Sequence, residues 1–159
     1  MKCKIALGSD HAGYLLKEVI KTWLENNQYE VIDFGTNSED SVDYIDFVYP
    51  AAKSVVKKEA DFAIVLCGTG LGASYVANKV HGIRAALCQD EFSTELSKLH
   101  NNANVLVLGG RVLAPQRAIN LVKTWLTTEF EGVRHQKRID RIHEIELLES
   151  DIHQNDVEV

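Results

Sequence analysis

Five short apolar runs organise this chain, and each is followed by a polar loop and then a segment with helical spacing. The central run, residues 62–67, contains no charged side chain and is typical of a strand buried on both faces. The other predicted strands are residues 3–7, 30–34, 82–87 and 105–108. Because strands and helices alternate, we predict a five-stranded parallel, Rossmann-like sheet inside a three-layer α/β/α sandwich.

Apolar residues recur at helical spacing between these strands and indicate which helix faces are buried. In the first helix, the predicted buried face consists of Ala12, Leu15, Leu16, Val19, Ile20, Trp23 and Leu24. A second helix is predicted over residues 47–58, with Pro50 near its first turn, and Pro115 is expected to open a later one. The helices therefore alternate with the strands along the chain.

The last predicted helix carries Ile142, Ile145 and Leu148, and no strand follows it. Since helices already cover both faces of the sheet, its apolar stripe is expected to pack on a partner subunit. We therefore predict one domain over residues 1–149, including this C-terminal dimerisation helix, and a polar tail over residues 150–159.

The composition narrows the classes of partner. A formal net charge of -6 argues against nucleic acid as the main partner, because phosphates are bound by a basic face. Three cysteines without paired spacing suggest a reducing compartment. No apolar stretch approaches transmembrane length, and the N-terminus leads directly into a strand instead of a signal peptide. We expect a cytoplasmic protein with no membrane partner.

The loop after the central strand, Cys-Gly-Thr-Gly-Leu-Gly at residues 67–72, carries the main candidate chemistry. Glycines at the carboxyl end of a strand let backbone N–H groups approach an anion at a helix N-terminus. The same N–H groups stabilise a thiolate. We therefore hypothesise that Cys67 is a reactive sulfur beside an oxyanion site. The competing interpretation is that Cys67 is only a small buried hydrophobic residue.

The βα loops of a parallel sheet lie at one edge, so residues distant in sequence should meet there. The candidates in these loops are Asp10, His11, Cys67, Thr69, Asp90 and Arg111, and we expect His100 on the same rim. Asp10 could instead serve only to cap the helix that follows it. His100 could equally be a cation at the C-terminal end of a helix.

Other functions use a glycine loop of this kind. Residues 68–73 fit G-x-G-x-x-A, and Asp90 lies at about the distance of a ribose-binding acid. Two observations argue against a dinucleotide site: the motif follows the third strand instead of the first, and no second domain remains to hold a hydride acceptor. A non-catalytic nucleotide-binding module would not need the thiol and the histidines. A cysteine phosphatase would place an arginine shortly after its nucleophile, and residues 71–77 contain none. Histidines and cysteines lack zinc-ligand spacing, so no metal is predicted.

Four motifs together resemble a known family. They are Gly-Ser-Asp-His-Ala-Gly at 8–13, the 67–72 loop, His-Asn-Asn-Ala-Asn-Val at 100–105 and Gly-Val-Arg-His-Gln-Lys-Arg at 132–138. In order and spacing they resemble the B-type ribose-5-phosphate isomerases, up to about residue 148. The family also includes subunits of galactose-6-phosphate isomerase. The resemblance implies a cofactor-free aldose-ketose isomerase of ribose 5-phosphate; an isomerase of galactose or allose 6-phosphate, or of a tetrulose phosphate, is the alternative.

The resemblance also implies roles for the candidate residues. Cys67 matches the base that moves a proton between C2 and C1, and His100 matches the group that opens the sugar ring. Thr69 matches a residue that assists at the ring oxygen or hydroxyls, and Asp10 would orient the sugar. The implied substrate-binding positions are His11, Tyr44, Asn101, Arg111, Arg134 and Arg138, with the amides of Gly68, Gly70, Leu71 and Gly72 at the enediolate oxygens. Of these, His11, Arg134 and Arg138 would bind the phosphate.

The resemblance further implies a homodimer or a tetramer, with each site between two subunits. The tail arginines or His11 would reach across from one subunit to the other. On the residues alone, the basic run at 134–138 could be a solvated face. Four other histidines are expected at the surface: His81, His135, His143 and His153. Cys3 and Cys88 lie in or at the end of predicted strands and are expected in the core.

Overall fold

One parallel sheet of five strands forms the centre of the protein. A computed structural model describes residues 3–155, with side chains up to residue 150. The strands are β1 (Lys4–Ser9), β2 (Glu30–Asp33), β3 (Phe62–Cys67), β4 (Ala85–Leu87) and β5 (Val105–Gly109). They lie in the order β2-β1-β3-β5-β4. The predicted parallel sheet is confirmed.

Helices cover both faces of this sheet. They are α1 (Tyr14–Asn26), α2 (Ile45–Val56), α3 (Leu71–Asn78), α4 (Glu91–Leu99), α5 (Pro115–Thr127) and α6 (Gln136–Asn155). One apolar core joins the sheet to α1 and α5, on which α4 packs, and a second joins its other face to α2 and α3. This is the predicted three-layer α/β/α arrangement. Among the described residues, no helix combines the length and apolar character needed to cross a membrane.

The central strand β3 aligns the carboxyl ends of its neighbours. It pairs with β1 on one side, where Leu66 lies opposite Ser9, and with β5 on the other, where Cys67 lies opposite Gly109. Residues 63–66 are fully buried, as expected of a strand with an uninterrupted apolar sequence. The loops that follow β1, β3 and β5 therefore begin at nearly the same level.

A crevice is expected between the carboxyl ends of β1 and β3, because the chain leaves these strands toward opposite faces of the sheet. After β1 the chain enters α1, which packs with α5, whereas after β3 it enters α3, which packs with α2. Such a change of direction is where open α/β sheets bind their ligands. The topology therefore predicts the crevice between the loop at residues 10–13 and the loop at residues 68–72.

The buried face of α1 agrees with the prediction at Leu16, Ile20 and Leu24 and differs from it at Leu15 and Val19. Leu15 and Val19 are 61% and 39% exposed, and the buried residues are Leu16, Lys17, Ile20 and Leu24. The Lys17 ammonium lies 2.8 Å from the Asp33 carboxylate at the end of β2. A buried charge must be paired, and this ion pair allows Lys17 to lie on the buried face of the helix. Although burial raises the pKa of Asp33, hydrogen bonds from Lys17 and Lys21 bring that pKa below its ordinary value.

Two element boundaries also differ from the sequence-based expectation. Helix α2 begins at Ile45, which puts Pro50 in its second turn rather than near its first. Strand β4 begins at Ala85 rather than at position 82. The Arg84 N–H donates instead to the Asn104 side chain at 2.8 Å, which belongs to a loop and not to the sheet. Arg84 therefore links the loop before β4 to the loop before β5.

Helix α6 packs loosely on its own chain. Its Glu146 carboxylate accepts a hydrogen bond from the Gly82 N–H at 3.0 Å, and a cavity of about 910 Å³ lies between the helix and the sheet edge. Its apolar residues Ile142, Ile145, Leu147 and Leu148 are 50–62% exposed. The helix continues past position 150 to Asn155, while residues 156–159 lie outside the described part of the chain. The division into domain and tail, and the packing on a partner, stay predictions.

Candidate active site

Cys67 lies at the carboxyl end of β3 with an N–H group directed at its sulfur. The residue is 5% exposed, and its Sγ accepts a hydrogen bond from the Gly70 N–H at 3.2 Å. Gly70 has a φ of 83°, a left-handed conformation that favours glycine and turns the loop back toward the sulfur. Helix α3 begins at the next residue. The glycine pattern therefore places a thiol against the N-terminus of a helix, as predicted.

The first βα loop brings a carboxylate and an imidazole to the same edge of the sheet. Asp10 is 6% exposed, and its Oδ1 accepts the Gly13 N–H at 3.0 Å just before α1. This hydrogen bond closes the turn before α1 and fixes the direction of the carboxylate, but the N-cap residue of the helix is Gly13, and no side chain caps it. The His11 ring is partly exposed, and its Nδ1 lies 3.1 Å from the backbone nitrogen of Val42. This contact anchors the ring to the loop before α2.

Tyr44 packs against the first turn of α3. A Cβ placed on Gly72 would lie 2.7 Å from the Tyr44 Cζ and 2.9 Å from its hydroxyl oxygen. No side chain fits between the two, so the glycine lets the tyrosine approach the helix N-terminus. The phenol thus borders the loop that carries Cys67.

Arg111 borders the same loop from the β5 side. Its Nη1 lies 3.6 Å from the position that a Cβ on Gly68 would take, and its backbone N–H donates to the Gly68 carbonyl at 2.9 Å. On the other side of the loop, Thr69 is exposed, and its Oγ1 accepts the Leu71 N–H at 3.3 Å. The carboxyl edge therefore collects a thiol, a carboxylate, an imidazole, a phenol, a hydroxyl and a guanidinium.

His100 lies at the opposite edge of the sheet, so its predicted place on the rim with Cys67 is wrong within one chain. It follows α4, which runs back to the amino ends of the strands, and the loop after it leads into β5. The Asn104 carbonyl in that loop accepts the N–H of Ala63 near the start of β3. With about 3.3 Å per strand residue, the two edges are roughly 15 Å apart. No five-carbon sugar spans that distance.

Asn101 and the basic run 134–138 lie at this amino edge too. Asn101 is exposed directly after His100, and the N–H of Glu131 donates to the Leu99 carbonyl at 3.0 Å. This bond holds the start of the basic segment against the end of α4. Arg134 and Arg138 are both exposed there. The sequence-predicted residues therefore divide into two groups on opposite edges.

Four residues form what we call the His100 cluster: His100, Glu131, Arg134 and His135. The rings of His100 and His135 are stacked, with centroids 4.2 Å apart and planes 12° from parallel. The Arg134 Nε–H donates to the His135 Nε2 at 3.0 Å. Glu131 Oε2 lies 3.2 Å from the His135 Nε2, 3.6 Å from the Arg134 Nη2 and 3.7 Å from the His100 Nε2. An imidazole, a guanidinium and a carboxylate thus meet over one buried ring.

The prediction that His135 is a surface residue is wrong, since the side chain is 4% exposed. His81 and His143 are exposed as predicted, and the side chain of His153 lies outside the described residues. Burial lowers the pKa of His135, and the nearby His100 and Arg134 lower it further. With a pKa below the ordinary value of about 6.5, the ring is neutral at pH 7.

Sequence reasoning also missed Glu131 as a member of the site. The available signal was the spacing of Glu131, Arg134 and His135, because residues three and four apart can meet when the chain turns. Charged neighbours made the segment read as solvated. The contact with the end of α4 that buries His135 depends on the tertiary fold.

The His100 cluster contains the residue types of a metal site. One donor atom each from His100, Glu131 and His135 lie within 4.8 Å of one another. A metal, however, binds imidazole in the ring plane, and two nearly parallel stacked rings do not direct their nitrogens at a common point. The Arg134 Nε–H also points at the His135 nitrogen. We therefore assign no metal to this cluster.

The geometry around Asp90 counts against a dinucleotide site. Its Oδ1 accepts the Ser93 N–H at 2.8 Å and its Oδ2 accepts the Ser93 hydroxyl at 2.8 Å, which caps α4. These hydrogen bonds lower the pKa of Asp90. Strand β5 also separates β4 from β3. A ribose-binding acid should instead follow the strand beside the glycine loop.

Comparison with known proteins identifies the family. A family model described as Ribose/Galactose Isomerase matches residues 5–142. Over 143 residues the chain is 44% identical to ribose-5-phosphate isomerase B of Escherichia coli. The alignment covers 90% of this chain and 96% of that protein. The chain belongs to the ribose/galactose isomerase family. The resemblance inferred from the four motifs is confirmed, and so is the predicted enzyme class, an isomerase.

Solved structures of family members share the fold. Ribose-5-phosphate isomerase B of Clostridium thermocellum superposes with a TM-score of 0.89 at 52% identity, covering 90% of this chain and 97% of that one. The enzyme of Mycoplasma genitalium, solved with bound ribulose-5-phosphate, gives 0.88 at 41% identity, covering 92% and 97%. The predicted fold class is confirmed by these likenesses.

Proposed function

We propose that this protein interconverts ribose 5-phosphate and ribulose 5-phosphate, with Cys67 as the base. The observation that carries the proposal is the buried thiol in the loop after β3, with the Gly70 N–H directed at its sulfur. Membership of the family supports the reaction class. A relative with bound ribulose-5-phosphate supports the choice of sugar.

The proposed reaction moves one proton between neighbouring carbons of the open-chain sugar. The Cys67 thiolate removes the proton from C2, the resulting thiol returns it to C1, and the hydroxyl proton passes from O2 to O1. Between these steps the negative charge lies on the enediolate oxygens, where the N–H groups of residues 68–72 would stabilise it. Donors placed where charge develops commonly contribute a factor of about 10² to 10³ each. The opposite direction begins with proton removal from C1.

The neighbouring side chains would hold the sugar in register with the thiolate. The Asp10 carboxylate, fixed by the Gly13 N–H, is suited to accept sugar hydroxyls. The Thr69 hydroxyl accepts the Leu71 N–H and keeps its own proton for the substrate. Tyr44 and Arg111 would close the site from its two sides. These roles need no cofactor.

We further propose that a complete site requires two copies of the chain. Cys67 and His11 lie at the carboxyl edge, and the His100 cluster lies at the amino edge. In a homodimer, or a tetramer built from two such dimers, the amino edge of one subunit would close over the carboxyl edge of the other. His100 would then open the sugar ring. His11 from one subunit and Arg134 and Arg138 from the other would bind the phosphate, for which guanidinium forks are suited.

The choice among sugar phosphates is the second question for this site. The family description names both ribose and galactose, so a six-carbon sugar phosphate is the alternative substrate. The cytoplasmic location likewise stays a prediction. It is supported by Cys3, Cys67 and Cys88, which are all free thiols, as expected in a reducing compartment.

The test is turnover of ribose 5-phosphate, allose 6-phosphate and galactose 6-phosphate by the wild type, Cys67→Ala and Cys88→Ala. Cys88 is a matched control, because it is also buried but packs in the core beside α4 and α5. We expect the wild type and Cys88→Ala to convert ribose 5-phosphate. Cys67→Ala should lose a factor of about 10² to 10⁴, as typical of a missing general base, while still binding the sugar phosphate. Full activity of Cys67→Ala would refute the thiolate base, and turnover of a six-carbon sugar alone would change the substrate.

A further inference from the structure

His135 is a buried side chain at the amino edge for which the proposed mechanism has no role. We propose that it is a positioning residue, which holds the His100 ring by stacking and the Arg134 guanidinium by accepting its Nε–H. In this way one imidazole would set both groups that act on the sugar phosphate from this edge. The inference rests on the proposed function and deepens it.

The stack with His135 fixes the plane of the His100 ring. The two rings lie 4.2 Å apart and within 12° of parallel, so His135 covers one face of His100. His135 is 4% exposed and cannot move freely, while the His100 side chain is 30% exposed. A ring-opening acid must keep its nitrogen directed at the sugar oxygen. The buried ring would supply that constraint.

The hydrogen bond from Arg134 acts on a residue that is otherwise mobile. The Arg134 side chain is 68% exposed, and a long exposed side chain loses conformational freedom when it binds a ligand. Its Nε–H is fixed on the His135 Nε2 at 3.0 Å. One Nη group faces Glu131 at 3.6 Å. The fork would thereby be oriented in advance while an Nη group stays available for a phosphate.

The hydrogen bond from Arg134 requires a neutral His135. A neutral imidazole accepts at Nε2 only when its hydrogen is on Nδ1, and a protonated ring donates at both nitrogens. The groups that face it are His100 at the end of α4, Glu131 and Arg134 in the preceding loop, and Arg138 in α6. Three of these four disfavour the cation and only the carboxylate favours it. The lowered pKa of His135 agrees with this balance.

Two substitutions separate the two contacts. His135→Phe keeps a flat ring for the stack but removes the acceptor, and His135→Gln keeps an acceptor oxygen but removes the ring. We expect His135→Phe to raise KM for ribose 5-phosphate about tenfold with kcat nearly unchanged, since only Arg134 is released. We expect His135→Gln to lower kcat by about tenfold with a smaller change in KM. The exposed His143 on α6 provides the control His143→Phe, which should match the wild type.

A measurement on the wild type does not depend on catalysis. Nitrogen NMR of the imidazole rings should show His135 neutral at pH 7 with its hydrogen on Nδ1. A protonated His135 at pH 7, or a hydrogen on its Nε2, would overturn the proposal. The proposal would also be overturned if both variants showed the same fall in kcat and the same rise in KM together with a lowered Tm. Activity of both variants equal to that of His143→Phe would overturn it as well. If the wild type fails to convert ribose 5-phosphate, the proposed function fails, and the NMR result still decides the positioning of the two side chains.

Discussion

At the scale of single residues, the site depends on one close approach between a ring and a backbone. Tyr44 reaches the N-terminus of α3 because residue 72 has no side chain. Alanine inside a helix is ordinarily favoured over glycine by about 1 kcal/mol. Here a methyl group would lie 2.7 Å from the phenol ring. The ring must therefore move away whenever residue 72 acquires a Cβ.

Gly72→Ala should lower kcat/KM for ribose 5-phosphate by about tenfold or more, equivalent to about 1.4 kcal/mol in the transition state. The free energy of unfolding should change little, because the gain in helix propensity offsets the displaced ring. Steady-state kinetics together with urea unfolding check this expectation.

Gly68→Ala is the comparison for this prediction. A Cβ at Gly68 would meet Ala12 and Arg111 atoms at 3.5 Å, an ordinary contact distance. We expect Gly68→Ala to lose less activity than Gly72→Ala. The reverse order would show that the contact between Tyr44 and residue 72 does not determine the site.

The sequence allowed Cys67 and its loop to be predicted because the signal is local. An apolar run, a thiol and alternating glycines are sufficient to indicate a strand followed by a helix N-terminus. The environment of His135 is not local. Its ring is buried by His100, which lies 35 residues earlier in the chain, and no periodicity indicates that contact.

At the scale of elements, α4 packs on the sheet and α5 through a buried lysine. The Lys98 Nζ lies 3.6 Å from the ring centroid of Phe62 in β3 and 4.5 Å from that of Trp125 in α5. Burial lowers the pKa of Lys98 to about 8, although nearby Cys3 opposes the shift. The aromatic faces attract the cation, but the loss of hydration dominates.

The stability of the fold should therefore rise with pH between about 8 and 10.5. In this range the unfolded chain still binds the Lys98 proton and the folded chain has released it, so the slope is positive, at most about 1.4 kcal/mol per pH unit. Below the folded pKa both states bind the proton, and the full penalty remains. Urea unfolding of the wild type across this range measures the slope.

Lys98→Met isolates this contribution, since it keeps the packed stem and removes the amine. We expect the variant to lack that part of the pH slope and to be more stable than the wild type near pH 7. Groups that do not interact with Lys98 contribute equally in both proteins and cancel in the difference, whereas Cys3 interacts with Lys98 and does not cancel. An identical pH dependence in the two proteins would contradict the account.

Helices and strands followed from the sequence where apolar spacing was strict, and differed where a charge was buried. Strand β3 has the predicted bounds. Helix α1 also buries Lys17 against Asp33, although lysine counts as a surface residue in any apolar pattern. An ion pair between a helix and a strand cannot be inferred from the periodicity of either element.

At the scale of the whole molecule, one chain carries two groups of candidate site residues on opposite edges of its sheet. The order of the motifs was sufficient for the family, and the alternation of elements for the fold. The rim prediction did not distinguish loops that follow strands from loops that precede them, and His100 belongs to the second kind. Under the proposed function, the two groups of residues meet when a second copy of the chain brings its amino edge to the carboxyl edge of the first.

Ile145→Glu should weaken the association of two chains. Ile145 is 59% exposed on α6 and borders the cavity beside that helix. Burying a carboxylate in an apolar contact costs several kcal/mol. We expect light scattering to show a shift toward the 17.8 kDa monomer, with a loss of isomerase activity at the same protein concentrations.

Thr22→Glu is the control, because it adds the same charge at an exposed position of α1. It should leave the oligomeric state and the activity unchanged. If Ile145→Glu keeps the wild-type mass and activity, α6 does not form the contact between subunits.

The most direct test of the central claim is complementation between Cys67→Ala and His100→Asn. Each variant alone should be nearly inactive on ribose 5-phosphate. If each site joins Cys67 of one subunit to His100 of the other, a mixed dimer contains one intact site. Random assembly makes half of the dimers mixed, so coexpression of the two variants should restore about a quarter of the wild-type activity. No recovery in a preparation shown to contain mixed dimers would contradict a site shared between two subunits.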